Sequence, residues 1–270
     1  MTSAPSSILE RILASTRAGL NRRRQAVPYT TLEQIALETP VQGSFANGLR
    51  TDGVAVIAEF KRASPSKGRF PVDLDPESVA IEYQRGGAAA ISVLTDEPFF
   101  QGSLTDLSDI ARIGHAGRPA MPILRKDFIV DEYQVLEARA AGADAILLIV
   151  AALDDSSLQR LYRFADEAGL GVLVEVHNRA EMDRAGALEA TVIGVNNRDL
   201  DTFVVDLGTT EALAQYRPQA AIFVSESGIA SRSDVVRLAD CGVNAVLVGE
   251  SIMLAPDRAS AIATLLGIAP

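Results

Sequence analysis

Cysteine, lysine and tryptophan are scarce or absent in this chain of 270 residues. Its single cysteine, Cys241, excludes an internal disulfide and a metal site built from several thiolates, and it suits a reducing compartment. No apolar run approaches the roughly 18 residues that a membrane-spanning helix needs. The N-terminus lacks the continuous apolar core of a secretory signal. We therefore expect a cytoplasmic protein without membrane contact.

The Arg-rich N-terminus is amphipathic, with Ile8, Ile12 and Leu13 at helical spacing, which is also compatible with an organellar transit peptide. Glu10 and the second helical segment, TLEQIALE, instead favour a folded N-terminal extension.

Acidic residues outnumber basic ones by 35 to 25, which gives a formal net charge of -10. This balance argues against a general surface for nucleic acid or anionic membranes, so an anionic ligand must be attracted locally. Apolar residues make up 48% of the chain and charged residues 22%, which is typical of a folded protein with a sizeable core. The length allows either one closed barrel or two smaller domains.

Short apolar runs rich in β-branched residues recur along the chain and alternate with amphipathic helical stretches. They occupy residues 54–60, 89–95, 121–127, 145–151, 171–177, 191–197, 221–227 and 245–251. Continuous apolar strands separated by helices indicate a parallel sheet covered by helices. Eight such units predict an α/β fold, a (β/α)8 TIM barrel with an N-terminal helical extension. The competing doubly wound open sheet usually carries a glycine fingerprint after its first strand, where this chain has EFKRASPSKG.

A (β/α)8 barrel places its chemistry at the C-terminal ends of the strands. Those ends carry polar or small residues here: Glu59, Lys61, Thr95, Lys126, Glu175, Asn196, Glu226, Ser227, Gly228 and Gly249. Glu59 and Lys61 are two residues apart on one strand, so they share a face and are expected to pair. The pair alone could merely close the barrel mouth. Lys126 and Glu175 at other strand ends favour a site, because converging ionisable groups are costly unless they are used.

The chain holds three lysines, Lys61, Lys67 and Lys126, among 25 basic residues. Arginine stays protonated under all working conditions, whereas burial and neighbouring charges can tune a lysine until it gives up a proton. We therefore expect Lys61 and Lys126 to act as proton donors or compact charges. Lys67 lies in a Ser/Gly loop, where a phosphate-facing role and a solvated role fit equally well.

Two segments with small residues follow the last two predicted strands, SESGIAS and VGES. The loops after strands 7 and 8 commonly form a phosphate site in this fold, because backbone groups approach the ligand closely there. Gly228 and Gly249 could instead serve only tight turns. Because both loops carry the feature, we favour phosphate binding.

The run IAEFKRASPSKG resembles the signature of indole-3-glycerol phosphate synthases. PILRKDFIVDEYQ, LVEVHN, IGVNNRDLDTF, VSESGI and VLVGESIM follow in matching order. The similarity covers essentially the whole chain. It implies a tryptophan-pathway carboxy-lyase that converts 1-(2-carboxyphenylamino)-1-deoxyribulose 5-phosphate to indole-3-glycerol phosphate with loss of carbon dioxide and water.

The same resemblance implies further properties of the chain. Residues 1–270 would form one domain in which residues 1–45 fold over the barrel mouth. No metal or organic cofactor is expected. The partner would be a phosphorylated small molecule, and we expect a monomer that is compatible with noncovalent tryptophan-pathway partners.

By this resemblance, Lys126 is expected to be the general acid of ring closure and Glu175 the acid/base group of the later steps. Lys61, oriented by Glu59, would bind the anionic substrate, and either lysine fits the acid of dehydration. Asn196, Glu226 and Ser227 complete the expected catalytic set. The expected binding residues are Ser64, Phe99 or Phe100, Phe128, Arg198, Gly228, Gly249 and Glu250. A Glu250 carboxylate would repel phosphate, so its side chain is expected to turn away.

Two other functions remain open from sequence alone. A related phosphoribosylanthranilate or sugar-phosphate isomerase would share the barrel, but that isomerase uses a cysteine at the end of strand 1, where this chain has Glu59 and Lys61. A non-catalytic phosphosugar-binding barrel should have lost its acid/base residues. His177 could share the face of Glu175, although a helix-capping or solvent-exposed role is favoured at a strand exit. His115 has no metal-spaced partner and is given no role.

Overall fold

The structure, a computed structural model, describes residues 7–65, 68–70, 74–117, 119–200 and 202–269. Eight parallel strands close a barrel, because each pairs with the next and the first also pairs with the last. They are β1 (Ala55–Phe60), β2 (Ala90–Leu94), β3 (Ile123–Lys126), β4 (Ala145–Ile149), β5 (Gly171–Val176), β6 (Val192–Asn196), β7 (Ile222–Glu226) and β8 (Ala245–Val248). The prediction of a (β/α)8 barrel is confirmed, and the open doubly wound sheet is excluded.

Helices precede the barrel and follow each strand. They are α1 (Ile8–Ala26), α2 (Tyr29–Glu38), α3 (Phe45–Gly48), α4 (Pro76–Arg85), α5 (Glu97–Phe100), α6 (Leu104–Ala116), α7 (Glu132–Ala140), α8 (Asp155–Glu167), α9 (Arg179–Ala187), α10 (Gly208–Ala214), α11 (Arg232–Asp240), α12 (Glu250–Met253) and α13 (Arg258–Leu266). Many begin at a Ser, Asp or Asn whose side chain accepts a backbone N–H of the first turn, which stabilises the helix start. A short 3₁₀ turn, Val150–Ala152, and a two-stranded ribbon, Ala63–Ser64 with Gly68–Arg69, complete the fold. No described helix is long and apolar enough to span a bilayer.

The interior of the barrel follows from the two-residue period of the strands. Apolar side chains that point inward form one buried cluster, with Ile57, Leu124, Leu147, Leu173 and Val224 among its members. The next inward position toward the C-terminal end of a strand is two residues further on. On β1, β3, β5 and β7 that position holds Glu59, Lys126, Glu175 and Glu226. The apolar interior therefore ends in a layer of charged side chains at the mouth.

The opposite, N-terminal end of the barrel is closed by α3 and the segment that leads to it. Phe45 and Leu49 pack into the inner cluster. Asp144, only 1% exposed, accepts the backbone N–H groups of Gln42 and Gly43 at 3.1 and 2.9 Å and that of Ile123 at 2.9 Å. His115 Nε2 lies 2.7 Å from the same carboxylate. One buried carboxylate thus joins the N-terminal segment to the bottom of the barrel.

The N-terminal helices α1 and α2 dock against α7. Tyr133 donates its hydroxyl to the carbonyls of Arg23 and Val27 at 3.0 and 2.9 Å. Arg23 also forms a 2.7 Å ion pair with Glu137. This docking places the first turns of α1 at the mouth of the barrel, where Ile8, Leu9 and Ile12 line its central cavity.

We predict that Asp144→Ala lowers the free energy of unfolding by about 3 kcal/mol or more, because the buried N–H of Ile123 and the partly buried N–H groups of Gln42 and Gly43 lose their acceptor. Urea unfolding followed by circular dichroism measures the change. Asp155→Ala is the control, since Asp155 is 83% exposed in its ion pair with Arg184 and exposed pairs contribute little. Equal losses in the two variants would contradict the role given to Asp144.

Candidate active site

Lys126 lies at the centre of the charged layer, between carboxylates from two other strands. Its Nζ is 2.9 Å from Glu175 Oε2 and 3.1 Å from Glu226 Oε2. A second pair, Lys61 and Glu59, is joined at 2.6 Å between Nζ and Oε1. The five side chains in these contacts are between 2% and 16% exposed. The residues that the sequence places at separate strand ends therefore meet at one point.

Opposite charges control the protonation of this cluster. Burial disfavours the charge of Lys126, but Glu175, Glu226 and Glu59 together outweigh burial and raise the pKa of Lys126 well above its ordinary range. Burial would raise the pKa of Glu175, yet Lys126 and the neighbouring His177 hold that pKa well below its usual range. The resting site therefore contains a protonated lysine against an ionised carboxylate.

Glu226 behaves differently from Glu175. Burial raises the pKa of Glu226, Lys126 offsets part of that rise, and repulsion from Glu175 adds to it, which brings the pKa of Glu226 to about 7. The two carboxylates around Lys126 thus have widely separated pKa values. One group can hold a proton at neutral pH while the other stays ionised, as acid and base roles require.

Two cavities meet at the lysines. The apolar chamber, of about 160 Å³, is bounded by Phe100, Phe128 and Leu147 and by the start of α1. The glycine chamber, of about 420 Å³, is bounded by Gly228, Gly249 and their neighbours. Both chambers share Glu59, Lys61, Lys126, Arg198, Ser227 and Glu250. A ligand with one apolar and one polar end could therefore occupy both chambers and place its middle at the lysines.

The backbone of the glycine chamber needs its small residues. Ser227 and Gly228 both have left-handed backbone conformations, with φ of 67° and 84°. At Gly249, an added Cβ would lie 2.4 Å from Glu59 Oε1 and 3.1 Å from Lys61 Nζ. The backbone at Gly249 must approach the Glu59–Lys61 pair closely, so a side chain there would displace the pair. This close approach is a steric reason for glycine at position 249, in addition to any need for a tight turn.

Aromatic rings form one wall of the apolar chamber. Phe100 and Phe128 lie with ring centroids 6.2 Å apart. Of the two candidates in the sequence, Phe100 lines the chamber and Phe99 is not among its lining residues. The short helix α5 decides this choice, because adjacent residues on a helix point in different directions. Ser64 and Arg198 also line the chamber.

Most of the expected site residues come together, and a few positions lie elsewhere. Asn196 donates from Nδ2 to Glu175 Oε1 at 3.3 Å, next to Lys126. Thr95 lies outside the charged layer and donates its hydroxyl to Asp127 at 2.7 Å. Lys67 lies outside the described residues. Among the described residues, no group of three His, Cys, Asp or Glu side chains is arranged to hold a metal ion.

The side chain of His177 packs against the charged layer. The solvent-exposed role is wrong, because the side chain is only 13% exposed. Its backbone N–H donates to Glu181 Oε2 in the first turn of α9, as a helix-end role requires, while Nε2 lies 3.3 Å from Glu175 Oε1. The two-residue spacing from Glu175 was the available signal. His115, which was given no role, pairs with Asp144 at the opposite end of the barrel.

The fold and the site define a (β/α)8-barrel protein with an acid–base cluster at the C-terminal ends of its strands. Residues 9–265 match the family "Indole-3-glycerol phosphate synthase". The chain belongs to the indole-3-glycerol phosphate synthase family.

Curated relatives agree with this assignment over nearly the whole chain. An indole-3-glycerol phosphate synthase of Dehalococcoides mccartyi is 47% identical over 260 residues, which cover 96% of this chain and 100% of the relative. Those of Roseiflexus castenholzii and Azospirillum brasilense are 47% and 46% identical, cover 97% of this chain, and match over 98% and 99% of their own lengths.

More distant solved structures share the fold. Thiamine phosphate pyrophosphorylase from Pyrococcus furiosus superposes with a TM-score of 0.61 at 18% identity, over 83% of this chain and 96% of that one. A 3-hexulose-6-phosphate synthase gives 0.60 at 18% identity, over 80% and 100%. At this identity the likeness concerns the barrel alone.

We predict that Glu226→Gln becomes more stable relative to the wild type as pH rises. The pKa of Glu226 lies above its ordinary value of 4.5, at about 7, so the folded state binds this proton more tightly than the unfolded state. The stability from this group is complete below pH 4.5 and is lost as pH rises through about 7. Urea unfolding of both proteins across this range measures the difference.

Glu211→Gln is the matched control for that experiment. A hydrogen bond and ion pair with Arg237 lower the pKa of Glu211, so its contribution is present above the unfolded pKa and is lost as pH falls. The stability difference should therefore run in the opposite direction to that of Glu226→Gln. A pH-independent difference for Glu226→Gln would contradict the assignment of a raised pKa.

Proposed function

We propose that this chain catalyses the reaction of its family, the conversion of 1-(2-carboxyphenylamino)-1-deoxyribulose 5-phosphate to indole-3-glycerol phosphate, carbon dioxide and water. One observation carries the proposal. Lys126 stands between Glu175 and Glu226 where the apolar chamber and the glycine chamber meet. The substrate has an aromatic acid at one end, a phosphate at the other and a ketone between them. An aromatic ring in the apolar chamber and a phosphate in the glycine chamber bring the ketone to Lys126.

Ring closure requires an acid at the ketone oxygen. The aromatic carbon that bears the carboxylate attacks the ketone carbon, and negative charge develops on the oxygen. Lys126 is protonated in the resting site, so it stabilises this charge and transfers a proton to the oxygen. The bond to the carboxylate then breaks, carbon dioxide leaves, and its electron pair restores the aromatic ring.

Proton transfer from Lys126 also prepares the next step. The charge of Lys126 lowers the pKa of Glu175 across a distance of 2.9 Å. Once Lys126 has given up its proton, that attraction is lost and Glu175 becomes a stronger base. Glu175 then removes a proton from the nitrogen-bound carbon adjacent to the one that bears the new hydroxyl, a double bond forms between these two carbons, and an acid protonates the hydroxyl so that it leaves as water. Lys61, paired with Glu59, and reprotonated Lys126 both fit this acid.

The remaining site residues bind and orient the substrate in this proposal. Phe100 and Phe128 hold the aromatic ring, and Arg198 lies beside both chambers. Ser227, Gly228 and Gly249 serve the phosphate end, as the loops after strands 7 and 8 do in other barrels of this type. Ser64, which was expected on the phosphate side, lines the apolar chamber and would bind the substrate there. Glu226 and Asn196 contact the reacting groups or the sugar hydroxyls. Glu250 contributes backbone there, because a carboxylate side chain would repel phosphate.

We also propose that residues 1–270 act as one domain in which, of the segment 1–45, the start of α1 covers part of the mouth, whereas Gln42, Gly43 and Phe45 close the opposite end of the barrel. The apolar contacts of Ile8, Leu9 and Ile12 with the chamber support this cover. The protein is proposed to be a cytoplasmic monomer that is compatible with noncovalent pathway partners. Of the alternatives, the isomerase lacks support because Cys241 ends α11, before β8 and on the far side of the barrel from Lys126.

Indole fluorescence tests the activity directly, because the chain contains no tryptophan. We expect purified protein and the carboxyphenylamino deoxyribulose phosphate to give a catalytic rise in indole emission, with the product identified by mass spectrometry. A folded protein that binds this substrate without forming indole would point to the non-catalytic phosphosugar barrel. Absence of binding would point to another sugar phosphate.

We predict that Lys126→Met lowers kcat by about 10³-fold or more while ligand binding stays measurable, because a positioned general acid contributes about 10²–10⁴-fold. Lys126→Arg is the matched variant, since it keeps the charge and removes a usable proton. It should also be strongly impaired. Stopped-flow fluorescence gives kcat, and calorimetry with a non-reacting substrate analogue gives affinity. Full activity in Lys126→Arg would reduce Lys126 to an electrostatic role.

A further inference from the structure

His177 is held between two carboxylates at the edge of the active site. Glu181 Oε2 lies 3.0 Å from Nδ1 of the ring and accepts the backbone N–H of the same histidine at 2.8 Å. On the other side of the ring, Nε2 lies 3.3 Å from Glu175 Oε1. Asn178 donates to the second oxygen of Glu181 at 2.7 Å, which fixes that carboxylate in turn. The imidazole therefore has a set orientation toward Glu175.

We propose that His177 is a positioning residue that holds Glu175 ionised and oriented toward Lys126, with Glu181 fixing the imidazole. The proposal rests on the catalytic role proposed above for Glu175. His177 does not touch the reacting atoms in this scheme and acts through the carboxylate.

The two oxygens of Glu175 have different neighbours, which explains how orientation is achieved. Oε1 faces Nε2 of His177 and Nδ2 of Asn196, each at 3.3 Å. Oε2 faces Nζ of Lys126 at 2.9 Å. Rotation of the carboxyl group would break contacts on both sides. Glu175 therefore keeps Oε2 facing Lys126, while Oε1 contacts His177 and Asn196.

The charges around His177 affect the proton shared between Lys126 and Glu175. Burial disfavours the imidazolium, but Glu175 and Glu181 outweigh burial and raise the pKa of His177 to about 10. A protonated His177 is then a second cation on Glu175, beside Lys126, while Glu226 lies beyond Lys126. This second cation opposes transfer of the Lys126 proton to Glu175 across their short contact. The proton of Lys126 is thereby reserved for the ketone oxygen.

The test compares His177→Gln and Glu181→Gln with His115→Asn as the matched control. The chain has two histidines, and His115 is also buried against a carboxylate but lies at the opposite end of the barrel. Two readouts are needed: the pH profile of kcat, and the titration of ring nitrogens in protein with ¹⁵N-labelled histidine. In the wild type we expect a charged His177 ring up to a midpoint near pH 10, and a fall in kcat there.

Each variant should shift the acid limb or the basic limb of the kcat–pH profile in a defined direction. In His177→Gln, the pKa of Glu175 rises, so the acid limb of the kcat profile moves to higher pH. The basic limb near pH 10 disappears, because the group that titrates there is gone. We expect kcat to fall about 10- to 100-fold with KM little changed. In Glu181→Gln, the midpoint of the His177 titration and the basic limb of kcat both move to lower pH. His115→Asn should keep the wild-type limbs even if it unfolds at lower urea concentration.

Two results would overturn the inference: a neutral His177 ring at pH 8 in the wild type, or a turnover profile in His177→Gln with the same limbs as the wild type. Failure of the proposed function is a separate outcome, because it appears as a wild-type protein that forms no indole product at any pH.

Discussion

The structure depends on one ammonium group shared by carboxylates in the mouth of a barrel. Burying Lys126 alone would be costly, and Glu175 and Glu226 make the burial possible at 2.9 and 3.1 Å. Their charges would exceed that of the lysine if both were ionised, and a pKa of about 7 lets Glu226 carry a proton instead. An anionic substrate would raise that pKa further. Substrate binding is therefore expected to load Glu226 with a proton before chemistry begins.

The positions of these groups follow from strand geometry, which is why the sequence predicts them. An inward apolar residue at Leu124 or Leu173 implies an inward residue two positions later, Lys126 or Glu175. The same two-residue period explains why Thr95 lies outside the charged layer. The inward face of β2 contains Ala90, so Ser92 and Leu94 continue that face and Thr95 lies on the other side. A site residue must therefore lie at the end of its strand and also point into the barrel. Thr95 meets only the first condition.

Other parts of the site depend on contacts between distant segments and could not be predicted from local pattern. Ile12 reaches the apolar chamber because α1 docks on α7, more than 100 residues away, through the bonds of Tyr133 to Arg23 and Val27. The choice between Phe99 and Phe100 depends on the direction of α5. The orientation of His177 depends on its contacts with Glu181, in the first turn of the helix that follows the strand. Local spacing identifies the strand ends that carry the charged layer, whereas helix docking determines the walls around them.

The neighbouring residues Arg125 and Lys126 explain why the chain keeps lysine in a few places. Their side chains leave opposite faces of β3. Arg125 points away from the barrel interior and is 2% exposed, with Nη2 at 2.8 Å from Asp127 and 3.3 Å from Glu137. A buried structural cation with several fixed acceptors suits a planar guanidinium that never loses its proton. Lys126 meets a similar set of carboxylates on the inward face, but in the proposed reaction its proton has to leave and return. If the proposed reaction holds, the two faces of one strand separate a permanent charge from a transferable one, and only the second requires lysine.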